Sequence, residues 1–161
     1  MRSTGEVMGI ADSFSEAYSK ALYAAGTYLP NKGAVILSVN DRDHERFITI
    51  AKRLNQLGFK IIATRGTREI LQSQGIEAEF VYKVNEGRPN IVDKMKNGEV
   101  QLMINTPLGR ESYFDERIAG ETAYRMGLPL ITTFSAAEAA IGAIEAIGLK
   151  PLKPIKLQEL D

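Results

Sequence analysis

The residues with the clearest chemical capacity stand in one short turn, Thr64-Arg65-Gly66-Thr67. Two hydroxyls, a guanidinium and a glycine fall between an apolar, β-branched run (59–63) and a helical pattern that starts at about residue 67. Helix N-termini expose unpaired N–H groups and a partial positive charge, so an anion is stabilised there. Gly66 would let the backbone approach a ligand closely, and Thr64 and Thr67 could donate hydroxyls to phosphate oxygens. The same residues also suit a plain strand-to-helix turn with Thr67 as the N-cap.

Related chemistry recurs after every other apolar run. Ser38 ends the first, and His44 opens the helix beyond it. Lys83, Asn85 and Arg88 close the third, Asn105, Thr106 and Arg110 the fourth, and Thr132 and Thr133 the fifth. Acidic groups in these loops are fewer: Asp41, Asp43 and Glu86. The set suits an anionic ligand carrying hydroxyls, such as a nucleoside monophosphate, better than acid–base work. No nucleophile–base–orienter set and no paired carboxylates stand out, so no catalytic residue is expected. Structural roles remain open for each residue. Ser38 could bond a neighbouring strand, and Lys83 could be an ordinary strand-end lysine. His44 could be a solvated first-turn residue, Asn105-Thr106-Pro107 could be turn chemistry, and Arg88 before Pro89 could pin a loop.

Five apolar runs position these loops, and they read as strands at 34–39, 59–63, 79–84, 100–104 and 128–132. Between them the spacing predicts helices over 44–57, 67–74, 90–97 and 113–126. In the first of these, Phe47, Ile50, Ala51, Leu54 and Leu57 share one face, and Gly58 closes it. Two capping boxes, Ser13-Phe14-Ser15-Glu16 and Ser135-Ala136-Ala137-Glu138, predict further helices to about Ala25 and about Ile147. Strand and helix alternating five times, with short connections, predicts a three-layer α/β/α fold. Its five-stranded, mostly parallel sheet is of the Rossmann or flavodoxin kind. In such sheets ligands bind at the strand carboxyl ends, where the strand order reverses.

Bulk composition narrows the function classes. The 161 residues suffice for one domain with a core. Lys plus Arg and Asp plus Glu number 20 each, which gives no support for a nucleic-acid or membrane-surface partner. With no cysteine and one histidine, disulfides, thiolate nucleophiles and Cys- or multi-His metal sites are excluded, so no metal site is expected. No apolar run reaches the roughly 18–20 residues of a membrane span, and no signal peptide is evident. A cytoplasmic protein is the expectation.

The chain resembles the C-terminal regulatory domain of the carbamoyl phosphate synthetase large subunit, a methylglyoxal-synthase-like domain. MRSTGEVMG, LSV with Asp43 to Arg46, GFKIIATRGT, VYKVNEGRPNIVDKMKNGEV and LMINTPLGR carry the resemblance. MRSTGEVMG is similar to the end of the preceding synthetase domain. The resemblance therefore implies a piece of a longer polypeptide: residues 1–32 from that domain with a helix and linker, 33–149 the regulatory domain, and 150–161 a tail. It implies effector binding rather than catalysis. The parent's ligase chemistry, with ATP, Mg or Mn and K, lies elsewhere and serves pyrimidine and arginine biosynthesis. No cofactor is expected in this domain. UMP and IMP are the implied nucleotides, on Ser38, His44, Thr64, Arg65, Gly66, Thr67, Lys83, Asn105 and Thr106. His44 stands where the family often has lysine, and Pro107 where it has a further threonine. Ornithine is implied at a domain border touched by Thr132 or Thr133, and N-acetylglutamate is the effector of some related forms. The implied partners are the other large-subunit domains and the glutaminase small subunit. Two enzymes of the same fold are the alternatives. One is methylglyoxal synthase, a lyase acting on dihydroxyacetone phosphate, whose catalytic Asp position falls within Arg88-Pro89-Asn90. The other is the cyclohydrolase half of a purine-pathway enzyme, which the EGRPN loop matches poorly.

Overall fold

Strand β1 (Ala34–Ser38) is buried at every residue, as a strand covered on both faces must be. In the computed structural model it is the centre of a five-stranded sheet ordered β3-β2-β1-β4-β5. The partners are β2 (Lys60–Ala63), β3 (Glu79–Phe80), β4 (Leu102–Asn105) and β5 (Leu130–Ile131), and every pairing is parallel. The structure describes residues 5–40, 43–106, 113–149, 152–156 and 158, without the side chains of 113–116. Two compact units make up the chain: Lys32–Glu138, and Met1–Asn31 with Ala139–Asp161.

In the larger unit the helices are α2 (His44–Gln56), α3 (Arg65–Ser73), α4 (Ile91–Lys96) and α5 (Tyr113–Arg125). Right-handed crossovers fix their faces. The chain steps outward from β1 to β2 and β3, so α2 and α3 share one face. It then returns past β1 to β4 and β5, which places α4 and α5 on the other. The packing agrees, with α2 against α3 and α4 against α5. The expected three-layer α/β/α architecture is present. Ile36, Ile62, Val81, Met95, Val100, Met103, Ala119 and Ala123 form a core cluster with Ile91. On α2 the buried residues are Phe47, Ile50, Ala51 and Leu54. Gly58 has φ 80°, the left-handed geometry that ends a helix without a Cβ penalty.

Several boundaries differ from the sequence expectation, each for a local reason. Helix α3 begins at Arg65, because Arg68 N–H donates to the Thr64 carbonyl at 2.8 Å and closes the first turn there. Thr64, not Thr67, is therefore the N-cap residue. Strand β3 stops at Phe80 because Tyr82 pairs with Asn90 of the following loop, its carbonyl accepting from Ile91 N–H at 3.0 Å. Strand β5 starts at Leu130, since Leu128 N–H instead caps the end of α5 on the Ala123 carbonyl. Helix α6 (Phe134–Leu149) begins before the expected Ser135 box. Thr133 caps it, its Oγ1 accepting from Ala136 N–H at 3.2 Å. The expected cap at Asn90 is present as a full box: Asn90 accepts from Asp93 N–H and Asp93 accepts from Asn90 N–H, both at 3.0 Å.

In the smaller unit, α1 (Phe14–Ala24) is capped by Ser13, whose hydroxyl accepts from Glu16 N–H at 3.3 Å. Lys20 ties the preceding segment down by donating to the Ile10 carbonyl at 2.8 Å. A Cβ on Gly9 would fall 1.9 Å from the Ala17 carbonyl oxygen, so the segment lies on α1 only with glycine there.

A cluster of charges joins β2, β3 and α4. Glu79 contacts the ammonium groups of Lys60 and Lys94, and Lys94 also meets Glu99. Hydrogen bonds from Lys60 and then Lys94 hold the Glu79 carboxyl below its ordinary range, and Glu79 and Glu99 raise Lys94. A lowered carboxyl contributes stability above its unfolded value and loses it as pH falls through the folded value. Glu79→Gln should cost about 0.5–1 kcal/mol near neutrality. The difference from the native chain should shrink below about pH 4, read from urea unfolding across pH. Asn90→Ala should cost about 1 kcal/mol in the same assay through the lost cap.

Candidate functional site

The order of the sheet fixes where its crevice lies. The helices that follow β1 and β4 leave on opposite faces, so the loops after these neighbouring strands part. Ser38 and Asn105 are register partners at that point, the last residues of β1 and β4. Both are buried, at 9% and 8% exposure. Neither side chain forms a hydrogen bond among the described residues. No fully enclosed side-chain polar atom among the described residues lacks a partner. The Ser38 hydroxyl and Asn105 amide therefore open to solvent from two deeply set positions.

The hydroxyls around them do different work. Thr67 Oγ1 accepts from Val39 N–H at 3.1 Å and lies 3.4 Å from the Val39 carbonyl. Thr106 Oγ1 accepts from Asn40 N–H at 3.0 Å. These two threonines, both buried, satisfy the backbone of β1 just where it leaves the sheet. The Thr64 side chain, also buried, makes among the described residues only a long 3.5 Å contact from its Oγ1 to Thr67 Oγ1. The turn chemistry foreseen for Thr106 and the phosphate hydroxyl foreseen for Thr67 are thus partly committed to the scaffold.

Asn40 latches the loop after β1. It donates to Asp43 Oδ2 at 2.7 Å and accepts from Asp43 N–H at 3.2 Å. Asn40 is not among the residues that the sequence singles out. The Asn-to-Asp spacing of three, typical of side-chain-built turns, was the signal. His44 is half-buried rather than solvated, with Nε2 at 3.1 Å from the Val39 carbonyl. A carbonyl only accepts, so Nε2 carries the proton in this contact.

Helix α3 presents its N-terminus beside this crevice. Its first turn holds no acidic residue and carries exposed Arg65. Against the helix dipole, this leaves a local excess of positive charge. Gly66 needs no special φ, and a Cβ there would meet nothing within 4 Å. The fold makes no demand for that glycine. Lys83 lies half-buried beyond β3, in a turn held by Glu86 Oε2, which accepts from Lys83 N–H at 3.2 Å. Its ammonium forms no ion pair among the described residues. Arg88 pairs with Asp93 at 3.7 Å and is exposed, the loop-pinning role.

The rim has two ends. Lys83 follows edge strand β3, while exposed Thr132 and Thr133 follow edge strand β5. Each edge lies two strand spacings, about 10 Å, from β1. Ser38, His44, Thr64 and Thr67 thus gather at the centre with Asn105 and Thr106, whereas Thr132 and Thr133 stand apart. Phe134, next to them, is held by the Phe47 ring at 5.4 Å and the Arg46 guanidinium at 3.8 Å. Asp41, Pro107 and Arg110 lie outside the described residues. Among the described residues no cluster of His, Cys, Asp and Glu could hold a metal ion, and no helix is long and apolar enough to cross a membrane.

The geometry separates scaffold from ligand groups. Thr67→Val should strand the Val39 amide and cost about 1–3 kcal/mol. Ser38→Ala should leave stability within about 0.5 kcal/mol. Urea unfolding of both variants checks the contrast.

Residues 46–132 match the model of the MGS-like domain. The chain is 51% identical to the carbamoyl phosphate synthase large chain of Acidobacterium capsulatum, over 91% of this chain and 13% of that one. It is 45% identical to the large chain of Archaeoglobus fulgidus, over 99% of this chain and 15% of that one. Against the carbamoyl phosphate synthase large chain, C-terminal section, of Methanopyrus kandleri the identity is 48%, over 91% and 27%. The chain thus spans a small fraction of the length of the curated relatives it matches. Among solved structures, the crystal structure of ForH superposes with a TM-score of 0.48 at 18% identity, over 74% of this chain and 83% of that one.

Proposed function

We propose, from the premise that the chain belongs to the MGS-like domain family, that it is the effector-binding domain of a carbamoyl phosphate synthase large chain. In this reading it holds nucleoside monophosphates of the UMP or IMP kind at the carboxyl ends of its strands. The observation that carries the reading is the Ser38–Asn105 pair, two deeply set polar side chains with no side-chain hydrogen bond among the described residues. Their hydroxyl and amide, turned outward and not spent on the scaffold, can pair with a ligand phosphate or ribose.

The phosphate sits over the 64–67 turn. There Gly66 leaves the backbone open, and Thr64 and Arg65 supply a hydroxyl and a charge. Lys83 is the counter-charge from the next strand. His44 stays on the Val39 carbonyl and shapes the loop after β1. Ornithine meets Thr132 or Thr133 at the other end of the rim. The remaining large-chain domains and the glutaminase small subunit are the partners, and ATP and metal ions belong to them. The smaller unit supports a longer polypeptide, since Val7, Met8, Phe14, Tyr23 and Tyr28 stay exposed on it.

Regulation follows by linkage. A nucleotide that prefers one arrangement of this domain against its neighbours shifts their equilibrium by its differential affinity, typically ~1–3 kcal/mol.

Calorimetric titration of this chain with UMP and then IMP tests the reading, with dihydroxyacetone phosphate as the control. Saturable nucleotide binding is expected, with little response to the sugar phosphate. Lys83→Ala should weaken nucleotide binding about tenfold or more while leaving the unfolding curve in place. Unchanged affinity in that variant would count against the site. Turnover of dihydroxyacetone phosphate to methylglyoxal would overturn the regulatory assignment.

A further inference from the structure

Resting on the nucleotide reading of the rim, we infer that the base of the ligand stacks on an aromatic shelf formed by Phe80 and Tyr82, under the guanidinium of Arg65. Phe80 is the register partner of Ala63, the residue just before the Thr64 turn. The shelf therefore begins one strand away from the phosphate position, within the span of a nucleoside monophosphate.

Alternation along the strand sets its direction. Val81 points into the core cluster with Ile91 and Met95, on the α4 and α5 side. Phe80 and Tyr82 therefore face the α3 side, where Arg65 begins its helix. Their rings meet edge-on at 4.7 Å, which fixes each against the other. The backbone of Gly87 lies on the Tyr82 ring, so close that a Cβ there would fall 3.2 Å from ring carbons. Both aromatic residues remain partly exposed.

Arg65 covers the shelf loosely. Its guanidinium carbon is 5.6 Å from the Phe80 centroid, and the residue is exposed. A small lift of this side chain would admit a planar base between the guanidinium and the ring. Bases stack on aromatic faces and on guanidinium planes alike, and the contact is tolerant of base identity because every base has a π-face. A shelf of this kind would therefore accept uracil and hypoxanthine, while the phosphate rim supplies the shared anchor.

The test is a four-ligand titration of the full chain with UMP, IMP, ribose 5-phosphate and inorganic phosphate. The native chain and the variants Phe80→Leu and Phe80→Tyr are compared. UMP and IMP should bind the native chain more tightly than ribose 5-phosphate. Phe80→Leu should weaken both nucleotides roughly tenfold and leave phosphate within about twofold, and Phe80→Tyr, which keeps the ring, should restore nucleotide affinity. Nucleotides that bind no better than ribose 5-phosphate, or that are indifferent to Phe80→Leu, would overturn the shelf and leave the anion rim standing. Equal losses for phosphate and nucleotide would also overturn it, because Phe80 would then only support the α3 turn. A native chain that binds none of the four would overturn the nucleotide reading itself, and the shelf with it.

Discussion

The end of β1 is the constraint on which the site depends. A central strand buried on both faces must give up its ladder partners as it leaves the sheet, and its last amides still need acceptors. Here Thr67, from the first turn of α3, takes the Val39 amide, and Thr106, just beyond β4, takes the Asn40 amide. Two neighbouring elements are thereby fastened to one strand end. The opening between them can keep its shape without a ligand to hold it.

That fastening sorts the polar residues of the rim into two kinds. Thr67, Thr106, Asn40 and the Nε2 of His44 all serve the backbone of one loop. Ser38, Asn105 and the Lys83 ammonium make no such bonds among the described residues. The second kind leaves its hydrogen-bonding capacity unspent on the scaffold, where a ligand could engage it. Positive potential adds to this, from the bare N-terminus of α3, from Arg65 beside it and from Lys83 across β2. Hydroxyl and amide meet at the ends of two adjacent strands, and the Lys83 cation follows the edge strand two spacings away.

Much of the fold was legible because the physics that makes it is local. The all-apolar run of β1 reads as a doubly covered strand, and Gly26, Gly58, Gly75, Gly98 and Gly127 take the positive φ that ends a helix, whereas α6 runs on through Gly148 to Leu149. The capping box at Asn90 was readable for the same reason, since both of its bonds span three residues. Local signals also misled where a stronger neighbour competed. Ser135 had the spacing of a cap, but Thr133 lay two residues earlier with a free hydroxyl and took the role. The run at 79–84 had strand composition throughout, yet only Glu79 and Phe80 pair in the sheet, because Tyr82 finds its partner in Asn90.

The sequence by itself therefore determined the alternation of strands and helices, the parallel sheet, and the fact that hydroxyls, amides and cations follow the strands. These rest on periodicity and on bonds between residues three or four apart. Only the tertiary structure decided which of those residues lie side by side. The order β3-β2-β1-β4-β5 places Asn105 beside Ser38, 67 positions apart by number, and sends Thr132 to the far edge. It also decided that Thr67 would hold β1 while Thr64 stayed nearly free of internal bonds, and that Phe80 would lie beside the turn. Strand order and register are set by how the whole core packs. No short window of sequence contains that information.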